Sequence, residues 1–215
     1  MIFISYYTKD TPYKAVMNDC LLPSLKEWGL TYDIEAIEDR GNWQKNTGYK
    51  CEFIKKMLLK HKESVCFLDS DALIMQFPSL ICSLPNDFDL AYHFFNWYGH
   101  WRNQWDNTSK IELLSGTMVF NYNDKVLALL NEWIYQVNSN INKWEQKVLE
   151  EIVYARDDLN IIDLPAEYCT VLMQDNSIPK YVKDPIIIHT QASRKYKHWW
   201  RDRKIQEERD RLDKQ

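Results

Sequence analysis

Glycine and proline are scarce in this 215-residue chain, at 5 Gly and 7 Pro. That argues against a loop-dominated or repetitive architecture, and no self-similar period runs along the sequence. The five cysteines, Cys20, Cys51, Cys66, Cys82 and Cys169, are odd in number, lack Cys-x-x-Cys spacing and sit in mostly apolar surroundings. They read as reduced core residues of a cytosolic protein, not as a disulfide framework. No apolar stretch approaches the length of a membrane span. Met1-Ile2-Phe3-Ile4-Ser5 enters an apolar strand directly, without a basic region or cleavage site, so a cytoplasmic location is expected and the Asn107-Thr108-Ser109 sequon carries little weight. A formal net charge of -4 gives no general pull towards nucleic acid or anionic membrane. Histidine is also thin, at 5 residues, which leaves few ligands for a multi-metal centre.

Hydrophobic residues, by contrast, make up 45%, with 9 Trp and 13 Tyr, so disorder is excluded. The length suits one domain with a sizeable core.

Ile2 to Tyr7 reads as a buried first strand, and Val16, Cys20, Leu21, Leu25 and Trp28 then recur at helical spacing up to Gly29. Tyr32, Ile34 and Ala36 suggest a second strand, broken by Gly41-Asn42-Trp43. A helix carrying Phe53, Ile54, Met57 and Leu58 leads to a strand ending at Asp69. Strand, helix, strand, helix, strand predicts an α/β fold with a mostly parallel central sheet flanked by helices. Further on, Leu90 to Phe95 and Thr117 to Asn121 read as strands, with a long aromatic loop or lid from Asn96 to Trp105 between them. Helices are expected around Val126 to Val137 and from Trp144 to Arg156, and late strands at Ile161 to Leu164 and Pro185 to His189. Residues 1–200 are expected to form the single functional domain, and 201–215 a charged, solvated helix or tail.

The strand Ser64-Val65-Cys66-Phe67-Leu68 runs into Asp69-Ser70-Asp71. Extended residues at i and i+2 face one side of the backbone, so both carboxylates can meet one ion just past the strand's end, where ligands of open α/β sheets sit. His189 follows Pro185-Ile186-Ile187-Ile188 and reaches the same edge. Carboxylate oxygens suit Mg²⁺ or Mn²⁺, ions that also hold substrate phosphates.

With these pieces in order, the chain resembles the GT-A-fold, nucleotide-sugar-dependent glycosyltransferases. The resemblance rests on the N-terminal strand, Asp69-Ser70-Asp71, Ser115-Gly116-Thr117-Met118-Val119-Phe120-Asn121, Trp144-Glu145-Gln146 and Ile188-His189-Thr190. Gly41-Asn42-Trp43 through Lys50 is also similar to the loop and lysine that precede the acidic motif in small members. It implies a Rossmann-like GT-A domain that moves a sugar, a UDP-sugar first among donors, to an acceptor hydroxyl. The cofactor implied is Mn²⁺ or Mg²⁺ on Asp69, Asp71 and His189. Donor contacts would be Tyr6, Tyr7, Lys50, Asp69, Ser70, Ser115 and Gly116, with Arg194 and Lys197 on the phosphates. Trp97, His100, Trp101 and Trp105 form the candidate acceptor surface. Glu145 and Gln146 are the candidate catalytic pair, and their segment is similar to that of retaining relatives; Asp124 and Glu167 stay open as alternative acids. Acceptor identity is not legible: a glycan, small molecule, protein or modified nucleic acid base all remain compatible, and so does any oligomeric state.

Two rivals stand beside this reading. A metal-dependent phosphoesterase or nuclease would use the same Asp69, Asp71 and His189 but needs more clustered ligands. A non-catalytic sugar-nucleotide-binding module predicts tight donor binding without turnover.

Overall fold

A computed structural model describes residues 1–96, 111–140 and 143–212. Its centre is set by three short apolar stretches. Strand β1 (Ile2–Thr8) pairs in parallel with β2 (Tyr32–Ile37) on one side and β3 (Val65–Leu68) on the other. All four residues of β3 are buried, the pattern of a strand covered on both faces. Beyond β3 lie β6 (Ile111–Phe120), β5 (Leu90–Asn96) and β7 (Ile161–Asp163), giving the order β2-β1-β3-β6-β5-β7. β6 opposes both of its neighbours while β5 and β7 pair in parallel, so five of six strands share a direction. The expected mostly parallel sheet is therefore observed, with one reversed strand inside it.

The period of two along each strand builds two cores from one sheet. Val65, Phe67, Met118 and Phe120 enter one apolar cluster with Phe53, Leu58, Leu130, Trp133 and Leu149. Their neighbours Cys66, Leu68 and Val119 enter the other with Met17, Leu21, Leu25 and Leu164. Each such side chain contributes roughly 1.5–3 kcal/mol relative to exposure.

The first expected helix is two, α1 (Pro12–Asp19) and α2 (Leu21–Glu27), interrupted at Cys20. Pro23 is the cause: it has no N–H for the carbonyl of Asp19, and its ring is tolerated only in a first turn. The Gly41-Asn42-Trp43 break opens a short helix, α3 (Trp43–Gly48), because the Asn42 side chain accepts the Lys45 N–H at 2.8 Å. Helix α4 (Lys50–His61) follows and stops at Lys62, whose φ of 54° is left-handed. A single turn, α5 (Ser79–Cys82), precedes β5. Helices α6 (Asp124–Ser139) and α7 (Glu145–Tyr154) fall where periodicity placed them. Asp124 is exposed in the first turn of α6, and Glu167 lies in a 3-10 turn, Ala166–Tyr168.

A second, three-stranded sheet has the order β4-β9-β8, from β4 (Ala72–Ile74), β8 (Thr170–Val171) and β9 (Ile187–His189). The chain ends in α8 (Ala192–Tyr196) and α9 (Trp199–Leu212). From Arg201 to Arg211, α9 is exposed and laced with pairs such as Arg203–Glu207. No helix among the described residues is long and apolar enough to cross a membrane.

Candidate functional site

Past Leu68 the backbone stays attached to β6, with the Asp69 N–H donating to the Gly116 carbonyl at 2.9 Å. A tight turn, Ala72 N–H to the Asp69 carbonyl at 3.0 Å, then reverses the chain into β4. β4 pairs antiparallel with β9 in a register that sets Ala72 opposite His189. Two sheets thus deliver three residues distant in sequence to one spot. Asp69, Asp71 and His189 offer ligand atoms within 4.8 Å of one another.

The imidazole is held from three sides. His189 Nε2 lies 2.8 Å from the Thr117 hydroxyl, and Nδ1 faces Asp71 Oδ1 at 3.4 Å. Its ring lies flat against Gly116, where a Cβ would come within 2.8 Å of Cε1 and 3.0 Å of Nδ1. Gly116 is therefore needed for a close approach, and the space on that side of it is filled by His189. Burial opposes a charged imidazole, but the sulfur of Cys169 and the carboxylate of Asp71 outweigh it and push His189 up to about 10. Burial likewise works against the Asp71 carboxylate, which His189 and the Ala192 N–H, 2.9 Å from Oδ2, nevertheless hold below its usual range. Two carboxylates and an imidazole whose far nitrogen is fixed by a hydroxyl make a donor set that fits Mn²⁺ or Mg²⁺.

Beside this cluster Lys50, at the start of α4, is buried. Its ammonium reaches Asp69 Oδ1 at 3.1 Å, Glu145 Oε1 at 3.3 Å, the Ser115 carbonyl at 3.1 Å and Ser115 Oγ at 3.0 Å. Burial alone would depress the lysine, but Asp69 and Glu145 raise it, so it stays charged. Glu145 is pushed up by burial despite Lys50, and its second oxygen, Oε2, is buried without a hydrogen-bond partner among the described residues. Gln146 is fully engaged. Its Oε1 accepts from the Ser115 N–H and hydroxyl, both at 3.0 Å, while Nε2 donates to Glu112 at 2.9 Å. Of the candidate catalytic pair, Glu145 keeps one oxygen unbonded among the described residues and Gln146 braces the β6 backbone.

These groups line a cavity of about 540 Å³ that also takes in Tyr6, Tyr7, Ser70, Ser115, Gly116 and Lys197. Tyr6 spends its hydroxyl on the Asn46 and Thr47 carbonyls, at 2.9 and 3.3 Å, and packs its ring edge-on to Tyr49 and Phe53. Arg194 stands apart. Its guanidinium donates to the Met173 and Leu172 carbonyls, both at 2.7 Å, and it lines a neighbouring hollow with Gln174 and Tyr196. Trp97, His100, Trp101 and Trp105 lie outside the described residues.

The structure adds cavity residues that motif reading did not single out for this site: Tyr13, Trp200 and Cys169, together with Trp43 and Trp144 in the roles of aromatic wall. Trp43 and Trp144 stand with ring centroids 6.2 Å apart. Trp200, at the start of α9, donates to both Asp39 oxygens at 2.8 Å and stacks on Tyr13 at 6.0 Å. A tryptophan pair in an otherwise polar, charged tail was the available signal for Trp200.

No family model matches this sequence, and no curated protein matches it. Solved structures do. A glycosyltransferase involved in the glycosylation of the major capsid of PBCV-1 superposes with a TM-score of 0.62 at 18% identity, over 87% of this chain and 91% of that one. The bifunctional glycosyltransferase WbbM, in its apo form, gives 0.56 at 12% identity, over 88% of this chain and 45% of the other. The galactosyltransferase LgtC, in complex with donor and acceptor sugar analogues, gives 0.52 at 9% identity, over 88% and 86%. At such identities what is shared is the fold, the GT-A arrangement anticipated from the ordered motifs.

Proposed function

We propose that this chain is a glycosyltransferase that takes a sugar from a nucleotide-diphosphate sugar, with UDP-sugars first among donors, and passes it to an acceptor hydroxyl. The observation that carries the reading is the convergence of Asp69, Asp71 and His189 at the edge of a GT-A sheet, beside the buried Lys50–Glu145 pair.

Mn²⁺ or Mg²⁺ held by Asp69, Asp71 and His189 would act as a Lewis acid, offsetting the negative charge that grows on the diphosphate as the anomeric bond breaks. The remaining chemistry belongs to the chain. Lys50 lies between Asp69 and Glu145 and offsets the repulsion of their two carboxylates. Glu145, which lines the cavity, would accept a hydroxyl of the donor sugar and so orient the anomeric carbon. Gln146 and Glu112 fix the Ser115 backbone against which that sugar would rest. Lys197, which also lines the cavity, would supply a second cation for the diphosphate. Retention of configuration is part of the proposal, supported by the similarity of Trp144-Glu145-Gln146 to the segment of retaining relatives. Among the described residues a single ion-sized cluster of ligands occurs, and no observation favours a phosphoesterase.

The test is incubation with Mn²⁺ and a panel of nucleotide sugars, following release of nucleoside diphosphate, with thermal stabilisation by UDP or GDP measured in parallel. Release from one donor, abolished by Asp69→Asn, is the expected outcome. Neither release nor Mn²⁺-dependent stabilisation across the panel would overturn the reading.

A further inference from the structure

Two residues past the end of β2, the carboxylate of Asp39 gathers donors from two distant parts of the chain. Its Oδ1 takes the Gly41 N–H at 2.9 Å and the Asn46 side-chain amide at 2.8 Å, and the Trp200 indole N–H lies 2.8 Å from both oxygens. The first two bonds are local, whereas the third spans 161 residues. Asn46 is buried; its side-chain oxygen accepts the Arg40 N–H at 2.8 Å and its carbonyl accepts the Tyr6 hydroxyl at 2.9 Å. Asp39 is thereby fixed to β1 as well as to α3. Burial opposes its charge, but the bonds from Asn46, Gly41 and Trp200, with Arg203 nearby, hold the carboxyl below its usual range. Bonds to an ionised acceptor are the strong ones.

What hangs on Trp200 is one wall of the cavity. Trp200 is buried and lines it, and so do Gln191, Ser193 and Lys197 of the segment before it. From Arg201 to Arg211 the helix is exposed, so α9 is held at its first turn. The segment is tied at its other end, where the Ala192 N–H meets Asp71. Between these points the backbone is almost continuously helical: the Lys197 N–H donates to the Ser193 carbonyl at 3.0 Å, and the Arg201 and Asp202 N–H groups to the His198 carbonyl at 3.0 and 3.1 Å. Lys197 stands three residues before Trp200 on this stiff run. A lysine is a point charge on a flexible stem, so it serves a phosphate only where its backbone is kept close, and the Asp39–Trp200 bond does that here.

We propose that Asp39 is a positioning residue for the substrate diphosphate, acting through Trp200 to hold Lys197 against the cavity. The inference rests on the donor class proposed above and deepens it, adding a residue that is not itself on the cavity wall.

The experiment is a double-mutant cycle between Trp200→Phe, which keeps a ring on Tyr13 and removes the indole N–H, and Lys197→Met. The readout is affinity of the full chain for inorganic pyrophosphate with Mn²⁺, by titration calorimetry. Lys197→Met is expected to lose about 10-fold and Trp200→Phe about 3- to 10-fold, while the double variant loses no more than Lys197→Met alone. Asp39→Asn, which leaves one oxygen for Gly41 and Asn46, should reproduce Trp200→Phe and likewise add nothing to Lys197→Met. A purely structural bond would instead give losses that multiply in the double variants, and that result overturns the inference. So does wild-type affinity in Lys197→Met, or in both Trp200→Phe and Asp39→Asn. A chain that shows the coupling but releases nothing from any nucleotide sugar keeps the role of Asp39 while overturning sugar transfer. One that turns over a nucleotide sugar without the coupling overturns the positioning alone.

Discussion

Gly116→Ala is the sharpest perturbation of the site, because it adds one methyl group and removes nothing. The new Cβ would stand 2.8 Å from His189 Cε1 and within 3.1 Å of both ring nitrogens. Ordinary contact begins at 3.4 Å, so the imidazole must retreat by ~0.6 Å or tilt. It has little freedom to do so, being buried and held by Thr117 at 2.8 Å. Overpacking of this kind costs about 1–3 kcal/mol. Gly116 has no left-handed φ, so alanine brings no backbone strain and regains about 0.5–1 kcal/mol of glycine's entropy cost in a strand. Net stability should thus fall by about 0–2.5 kcal/mol. Cation affinity should fall as well, about 10- to 100-fold, as when an orienting group behind a metal ligand is disturbed. Mn²⁺ titration followed by electron paramagnetic resonance, alongside denaturant unfolding, measures both. Repeating the substitution in a His189→Ala background closes a double-mutant cycle, in which the methyl should cost nothing. Unchanged Mn²⁺ affinity in Gly116→Ala, or an equal penalty in the His189→Ala background, would refute the reasoning.

Two further outcomes follow from the charges at the site. Lys50→Met leaves Asp69 and Glu145 without their shared cation, and breaking a buried pair costs about 3–5 kcal/mol. Asp69 is 40% exposed, so urea unfolding should give the lower end of that range, with Mn²⁺ restoring part of it; a stability equal to wild type would contradict the structure. Cation binding requires neutral imidazole, yet His189 is pushed up to about 10. Sign follows directly: the proton is present at neutral pH, must leave on binding, and affinity should therefore rise as pH climbs towards that value. Calorimetry in two buffers of different ionisation enthalpy should show about one proton released per Mn²⁺, whereas no release would show that His189 is not a ligand.

Much of the architecture could be read in advance where pattern and burial agree. β1, β3, α4, α6 and α7 lie where apolar spacing put them, and His189 does meet Asp69 and Asp71, which precede it by over a hundred residues. What escaped has identifiable physical causes. The α1–α2 break is a consequence of Pro23 acting one turn upstream. β6 begins at Ile111 instead of Thr117, because Ser115-Gly116 reads locally as a turn and only tertiary packing shows the glycine to be a slot for the His189 ring. A glycine within a strand pattern signals close approach of another group, and here that group was His189. Tyr13 and Trp200 could not be paired from sequence, since their stacking depends on where a C-terminal helix returns to the first one.

Asp71 is tied to the closing segment of the chain as well as to the ion site: its carboxylate takes the Ala192 N–H, and its carbonyl takes the Thr190 N–H and hydroxyl at 3.2 and 3.3 Å. It is a rivet as much as a ligand. Replacing it by alanine removes the candidate ligand oxygens and the acceptor of the Ala192 N–H together, although the carbonyl keeps Thr190, so a dead variant would mix loss of the ion with a loosened start of the segment that carries Lys197 and Trp200. Asparagine, which retains an acceptor for the amide, separates the two jobs, and Asp69, whose carboxylate bonds only to Lys50 among the described residues, is the cleaner place to cut.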